Sequence, residues 1–225
     1  MDQDIPWLAQ ISDDFFFSGI SSMDSSKGII VGRPHGGLAI LYKKSLASYC
    51  KIKCYDDSRL MGLEIRNGNN KLLLINCYLP CCSLEHLDEY QYYLAKIDNI
   101  ISTYESPFAI AMGDFNADIT CMDNGKITQK FGYELTAFCQ DEGYIMSDKE
   151  VLSGTNTYTF VSSSHASTSW LDHLVCTAGS HDMLNNVYVK YDLISSDHKP
   201  LCAVLNLSHI NVSESTQGDE QVQAP

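Results

Sequence analysis

The run Ala109-Ile110-Ala111-Met112-Gly113-Asp114-Phe115-Asn116-Ala117-Asp118 restricts the folds open to this chain more than any other stretch. A short apolar run of this kind reads as a buried strand, and it stops at a glycine followed by an acid. Side chains alternate along a strand, so Asp114 and Asn116 point to one side of its end. A carboxylate and a carboxamide placed that way suit a metal ligand and a phosphate-contacting amide at the C-terminal edge of a sheet. The same two residues are also ordinary turn formers, and these positions alone leave both readings open.

The remainder of the chain supplies more strands than helices. Lys27–Gly32 and Leu38–Lys43 read as two strands joined by the turn Arg33-Pro34-His35-Gly36-Gly37. Another follows over 49–55. Leu60–Arg66 and Lys71–Leu79 flank Asn67-Gly68-Asn69-Asn70, and an Asn-Gly pair between apolar runs is a strong hairpin signal. Pro80 ends that hairpin. Ser83 stands at an N-cap position, with Glu85, Asp88 and Glu89 near the positive end of a helix. Leu84, Leu87, Leu94, Ile97, Ile101 and Tyr104 repeat at near-helical spacing, which predicts one amphipathic helix over 84–104. Pro107 resets the chain for the central strand at 108–113. A second helix is expected within 129–141, ended by Gly143. Strands are expected at 157–161, 170–177, 187–193 and 200–207, with a serine-rich loop over 162–169. Residues 208–225 lack apolar periodicity and read as a disordered tail or linker, which leaves one domain over 1–207. Antiparallel-looking strands with a few long helices predict an α/β sandwich.

Charge narrows the function. Acids outnumber bases by 28 to 15, a formal net charge of −13. Affinity for long nucleic acids comes largely from basic side chains that neutralise phosphates. A stand-alone DNA-binding module is therefore disfavoured, and a nucleic-acid ligand would need a bound divalent cation or a local basic patch. No apolar run is long enough to cross a membrane, and the acidic start interrupted by Pro6 is no signal peptide. The nine cysteines form no zinc-like pairs, and adjacent Cys81-Cys82 suit neither a metal knuckle nor an easy disulfide. They read as reduced thiols of an intracellular protein, nuclear or cytoplasmic.

Three more clusters stand at expected strand ends, as Asp114 does: Asn76-Cys77-Tyr78-Leu79-Pro80, Ser169-Trp170-Leu171-Asp172-His173 and Ser195-Ser196-Asp197-His198-Lys199-Pro200. Each has an ordinary explanation in strand-end packing, turn capping or a solvated loop. As a set they are the parts for metal-assisted attack of water on a phosphodiester. Hard carboxylates hold Mg²⁺, the metal stabilises charge on phosphate oxygens, and a histidine oriented by an aspartate acts as base or phosphate contact. His35, His165 and His173 have no evident partner and read as surface or structural histidines.

GDFN at 113–116, NCYLP at 76–80, SWLDH at 169–173 and SDHKPL at 196–201 resemble, in order and spacing, the endonuclease/exonuclease/phosphatase superfamily. The resemblance covers about Trp7 to Leu207. It implies the DNase I-like fold, a four-layer α/β sandwich of two packed mixed sheets flanked by helices. The GRPHGGLAILYKKSL stretch at 32–46 looks most like the endonuclease domain of non-LTR retrotransposons, in which a reverse transcriptase domain follows in the same polyprotein. The resemblance implies Mg²⁺ as cofactor, with Mn²⁺ as a substitute, and DNA as partner. Asp114 would position the attacking water and the metal, with Asp197 as a further metal-side ligand. Asn116 and Asn76 would contact the scissile phosphate region, and Tyr78 would donate to phosphate. Asp172 would orient His198, which contacts phosphate or takes a proton, and Thr159 would occupy a supporting position.

One departure is large. The family begins with an asparagine-bearing strand and a Gln-Glu pair whose glutamate is a main metal ligand. Setting Trp7-Leu8 on the family's Trp-Leu pair puts Ile5 at the glutamate and Asp4 at the glutamine, and the first strand has no counterpart. Asp2 or Asp4 has no spacing to support it as a replacement. The expectation is an Mg²⁺-dependent DNA endonuclease domain, retrotransposon-type or apurinic-like, in an N-terminally truncated copy with impaired activity that an extended version restores. The competing readings are an inactive remnant serving as an interaction module, and a small-molecule phosphoesterase of the same superfamily.

Overall fold

The computed structural model describes residues 10–22, 36–55, 57–123, 125–162, 164–193 and 195–210. The expected strand at 27–32, most of the turn at 33–37, the tail from 211 onward, and Asp2, Asp4, Ile5, Trp7 and Leu8 fall outside the described residues.

In chain order the elements begin with β1 (Phe15–Ile20), β2 (Leu38–Lys43), β3 (Cys50–Cys54), β4 (Leu60–Asn67) and β5 (Asn70–Tyr78). Then come α1 (Leu87–Thr103), β6 (Ala109–Asp114), β7 (Met122–Asp123), β8 (Lys126–Ile127), α2 (Lys130–Glu142), β9 (Ile145–Met146) and α3 (Ser147–Leu152). The chain continues through β10 (Phe160–Ser162), β11 (Ser167–Ser169), β12 (Asp172–Cys176), α4 (Ala178–His181), β13 (Leu184–Val189) and β14 (Leu201–Leu205). Six strands form one mixed sheet in the order β3-β4-β5-β6-β12-β9. Its parallel pair is β5 with β6, joined by the α1 crossover that a parallel connection requires.

The alternation of β5 and β6 explains the layers. Leu73, Ile75 and Cys77 of β5, with Ala109 and Ala111 of β6, face α1 and α2, from which Tyr90, Leu94, Ile97, Ile101, Phe131 and Leu135 pack down. Leu72 and Ile110 face the other way, toward Leu38 and Ile40 of β2 and Val187 of β13. That second layer consists of two antiparallel ribbons, β1–β2 and β13–β14, which are not paired with each other. The α/β class stands. Among the described residues the second sheet consists of these two ribbons.

Some local expectations hold and others change. The β4–β5 hairpin closes through a two-residue turn, with Asn67 paired to Asn70 and Gly68 at φ +59. Ser83 makes no capping bond; a 3-10 turn over Leu84–His86 precedes α1, and Leu84 is 82% exposed, so the buried stripe starts at Tyr90. Gln129 caps α2 by accepting from the Gly132 N–H, and Gly143 ends it in the left-handed region. The serine-rich stretch expected as a loop is the β10–β11 hairpin, Phe160 opposite Ser169. The folded part also runs past the expected end at 207, through a 3-10 turn at Leu207–His209 to the fully buried Ile210. No helix of the described residues is long and apolar enough to cross a membrane.

Candidate active site

Strand register builds the site. Tyr78 is the parallel partner of Asp114, and Asp172 is its antiparallel partner. Three neighbouring strands therefore present Tyr78, Asp114 and Asp172 in one row, all on the ribbon face of the sheet. Gly113 makes the row possible. Its φ is +137, and a Cβ there would lie 2.1 Å from the Cys77 carbonyl oxygen, so the strands could not approach with any other residue.

His198 closes the row from the loop before β14. Its Nδ1–H donates to Asp172 Oδ2 at 2.8 Å, which turns Nε2 toward Asp114 Oδ2 at 3.8 Å. Phe160 packs on the imidazole with ring centroids 5.0 Å apart. Thr159, fully buried, accepts on Oγ1 from the N–H groups of Leu171 (3.0 Å) and Asp172 (2.9 Å), fixing the backbone that carries Asp172. A cleft of about 270 Å³ opens beside the dyad, bounded by Met112, Gly113, Leu193 and Pro200.

Asp114 and Asn116 form the turn that their sequence allows. The Asn116 N–H donates to Asp114 Oδ1 at 2.8 Å, and Asn116 takes φ +50, so the carboxylate does cap a turn. The same geometry holds its other oxygen toward His198. The Asn116 amide donates to the Leu79 carbonyl at 2.9 Å. Asn76 lies on the same face two positions before Tyr78 and donates to the Ala39 carbonyl of β2 at 3.1 Å, away from the row. Asp197 is exposed next to His198, with its backbone carbonyl accepting from the Val161 N–H.

Burial and the nearby Asp172 charge push Asp114 from the usual carboxylate range up to about 6, against the opposing pull of the Asn116 N–H and His198. The hydrogen bond from His198 to Asp172 raises the imidazole, outweighing partial burial. Burial raises the Tyr78 phenol, which stays a donor. Two carboxylates paired across a strand ladder repel, and a cation beside them would relieve that repulsion. Among the described residues no group of three or more His, Cys, Asp and Glu side chains is arranged to hold a metal ion. The donors present fit a Mg²⁺ held through one or two carboxylates and completed by water and substrate phosphate oxygens.

Arg59 had no sequence reading, and His173 only that of a surface or structural histidine. The Arg59 guanidinium lies 5.8 Å from the Tyr78 ring and 5.7 Å from the Tyr93 ring, with Nη1 donating to the Tyr78 carbonyl at 3.2 Å. His173, read as lacking a partner, is fully buried against Asp148 of α3. A polar residue at an inward strand position beside Leu174 and Val175 was the available signal, since such a group needs a partner.

A family model described as endonuclease-reverse transcriptase matches residues 72–202, which hold every member of the row. No sequence among the curated proteins matches the chain. Many solved structures share the fold, three of which follow. The 3′ phosphatase NExo from Neisseria, bound to a product DNA hairpin, superposes with a TM-score of 0.67 at 18% identity, over 92% of this chain and 85% of that one. The endonuclease domain of TRAS1, a telomere-specific non-LTR retrotransposon, gives 0.63 at 19% identity, over 85% and 81%. The AP endonuclease LMAP from Leishmania major gives 0.66 at 13% identity, over 89% and 73%.

Proposed function

Since this chain belongs to the endonuclease-reverse transcriptase family and has a DNase I-like fold, we propose that it hydrolyses DNA phosphodiesters with Mg²⁺ at the Tyr78–Asp114–Asp172–His198 row. The register that aligns Tyr78, Asp114 and Asp172, with His198 hydrogen-bonded to Asp172, carries the reading.

Each residue has a task its position suits. Asp172 holds Nδ1 of His198, so Nε2 faces the space in front of Asp114, where a phosphate oxygen would sit. A raised imidazole is more often protonated, and a protonated Nε2–H donates a charge-assisted bond to that oxygen. Tyr78 adds a neutral donor from the neighbouring strand. Asp114 orients water through Oδ2, the oxygen that faces His198 Nε2. The turn also fixes Asn116, whose place beside the row suits a contact near the scissile phosphate. A bound Mg²⁺, held by Asp114 with Asp197 as a further ligand, would offset charge on the phosphate oxygens. In an acidic chain this local positive charge replaces a broad basic surface.

Nicking of supercoiled plasmid tests this. Slow nicking with Mg²⁺ is expected from the purified chain, abolished by chelation and lowered about 10²–10⁴-fold by His198→Ala. Unchanged nicking in His198→Ala, or hydrolysis of small phosphoesters with DNA left intact, would overturn it.

A further inference from the structure

Beside the row the chain carries an aromatic surface that the chemistry above leaves unused. Along residues 157–160 the burial alternates. Thr157 and Thr159 are buried, while Tyr158 and Phe160 are half-buried. Phe160 packs on His198 in a tilted arrangement. Tyr158 packs on Tyr191 with centroids 4.8 Å apart, and its N–H donates to the Tyr191 hydroxyl at 3.4 Å. One line of rings therefore runs from the imidazole of the row to the Tyr158–Tyr191 pair. Beyond it lies a cleft of about 290 Å³ bounded by Tyr191, Tyr188, Leu152, Val189, Asn156 and Thr155. Tyr191 is 43% exposed and Tyr188 39%.

We infer that this cleft is a nucleobase subsite: it takes an unpaired base of the DNA strand flanking the phosphate at the row. The inference rests on the nuclease reading for which strand is bound, but not for what the cleft holds. Its walls are two tyrosine rings and aliphatic side chains, which suit the faces of a planar heterocycle. The Asn156 amide suits its hydrogen-bonding edge. No lysine or arginine lines it, so it is not built for the phosphate itself. The overall charge points the same way. A chain of net charge −13 gains little from releasing counterions, and base–aromatic stacking is the sequence-tolerant source of affinity left to it. Continuity fixes the address, because Thr159 alone separates Tyr158 from the ring that packs on His198.

The test is a titration of a single-stranded oligonucleotide carrying 2-aminopurine with the full chain in chelator, so that nothing is cut. Saturable quenching of the fluorescent base is expected. Tyr191→Ala should weaken binding about tenfold, Tyr191→Phe should retain it, and Tyr133→Ala, an exposed tyrosine on α2, should change nothing. Thermal melts check that the variants fold. An absence of saturable quenching overturns the subsite, as does wild-type affinity in Tyr191→Ala or equal loss in Tyr191→Phe. Quenching without plasmid nicking would instead sink the nuclease reading and leave the subsite standing.

Discussion

Asp172 and His173 are neighbours on β12, yet they belong to two different histidine–aspartate pairs on opposite faces of the sheet. Asp172 receives the Nδ1–H of His198 at 2.8 Å on the ribbon face, where His198 keeps about a third of its side chain exposed. His173 donates from Nδ1 to Asp148 Oδ2, also at 2.8 Å, with both side chains fully buried. Bond lengths are equal; the second ring nitrogens differ. Nε2 of His198 faces open space and Asp114. Nε2 of His173 donates to the Ala117 carbonyl at 2.7 Å, and Asp148 Oδ1 accepts from the Leu174 N–H at 3.0 Å. The first pair keeps a proton position free for a substrate. The second has spent every donor and acceptor on the protein, and it ties α3 and β12 to the loop carrying Asn116.

Removing the two aspartates should separate these roles, with the largest effect at the buried one. Asp148→Ala strands an imidazolium in the interior and leaves a strand N–H unpaired. A loss of about 3–5 kcal/mol in urea unfolding is expected. Asp172→Ala leaves a half-exposed histidine that water can solvate, and it removes the charge that repels Asp114. Its unfolding free energy should stay within about 1 kcal/mol of wild type. Nicking should nonetheless fall about 10²–10⁴-fold, as for His198→Ala. Comparable stability losses in both variants would erase the distinction.

Thr159 supplies a smaller test on the exposed side. Its hydroxyl accepts two N–H groups next to Asp172 in a fully buried position. Thr159→Val keeps the shape and leaves both donors without that acceptor, which should cost about 2 kcal/mol and displace Asp172. Thr159→Ser should recover most of the stability and most of the nicking. A valine variant as stable and as active as wild type would show that the Asp172 backbone needs no such support.

The row was legible because its parts sit at strand ends, where a glycine, a proline or an acid breaks an apolar run within a few residues. GDFN, NCYLP and SDHKPL are each local signals, and the sheet register that aligns them follows from a parallel β5–β6 pair. Bonds that cross the fold were not legible. Asp148 and His173 lie far apart in sequence, and α3, which positions Asp148, is too short to show periodicity. The Ser83 cap failed for a related reason: a 3-10 turn intervenes, and the helix starts with no side-chain cap. The β10–β11 hairpin hid because serines carry no hydrophobic alternation, and its position is set by the contact of Phe160 with His198.

The smallest effect is also the sharpest way to tell the pairs apart, because it depends on protonation alone. Burial by itself would lower the His173 pKa, but the adjacent Asp148 charge and hydrogen bond outweigh it and raise it. Both ring nitrogens point at oxygens that only accept, so a neutral imidazole would turn a lone pair on one of them. The folded state therefore binds this proton more tightly than the unfolded chain, whose histidine titrates near about 6.5. With a raised folded pKa, the pair's contribution is complete below that pH and is lost as pH climbs through the folded value. Over that interval unfolding free energy should fall by up to about 1.4 kcal/mol per pH unit. Asp148→Asn keeps a group able to accept the Leu174 N–H but removes the charge, so this slope should flatten. His198→Ala should remove a smaller part of it, because that imidazole is also raised but belongs to a partly exposed pair. Urea unfolding from pH 6 upward decides the matter, and a slope that survives in Asp148→Asn would assign the titration to another group.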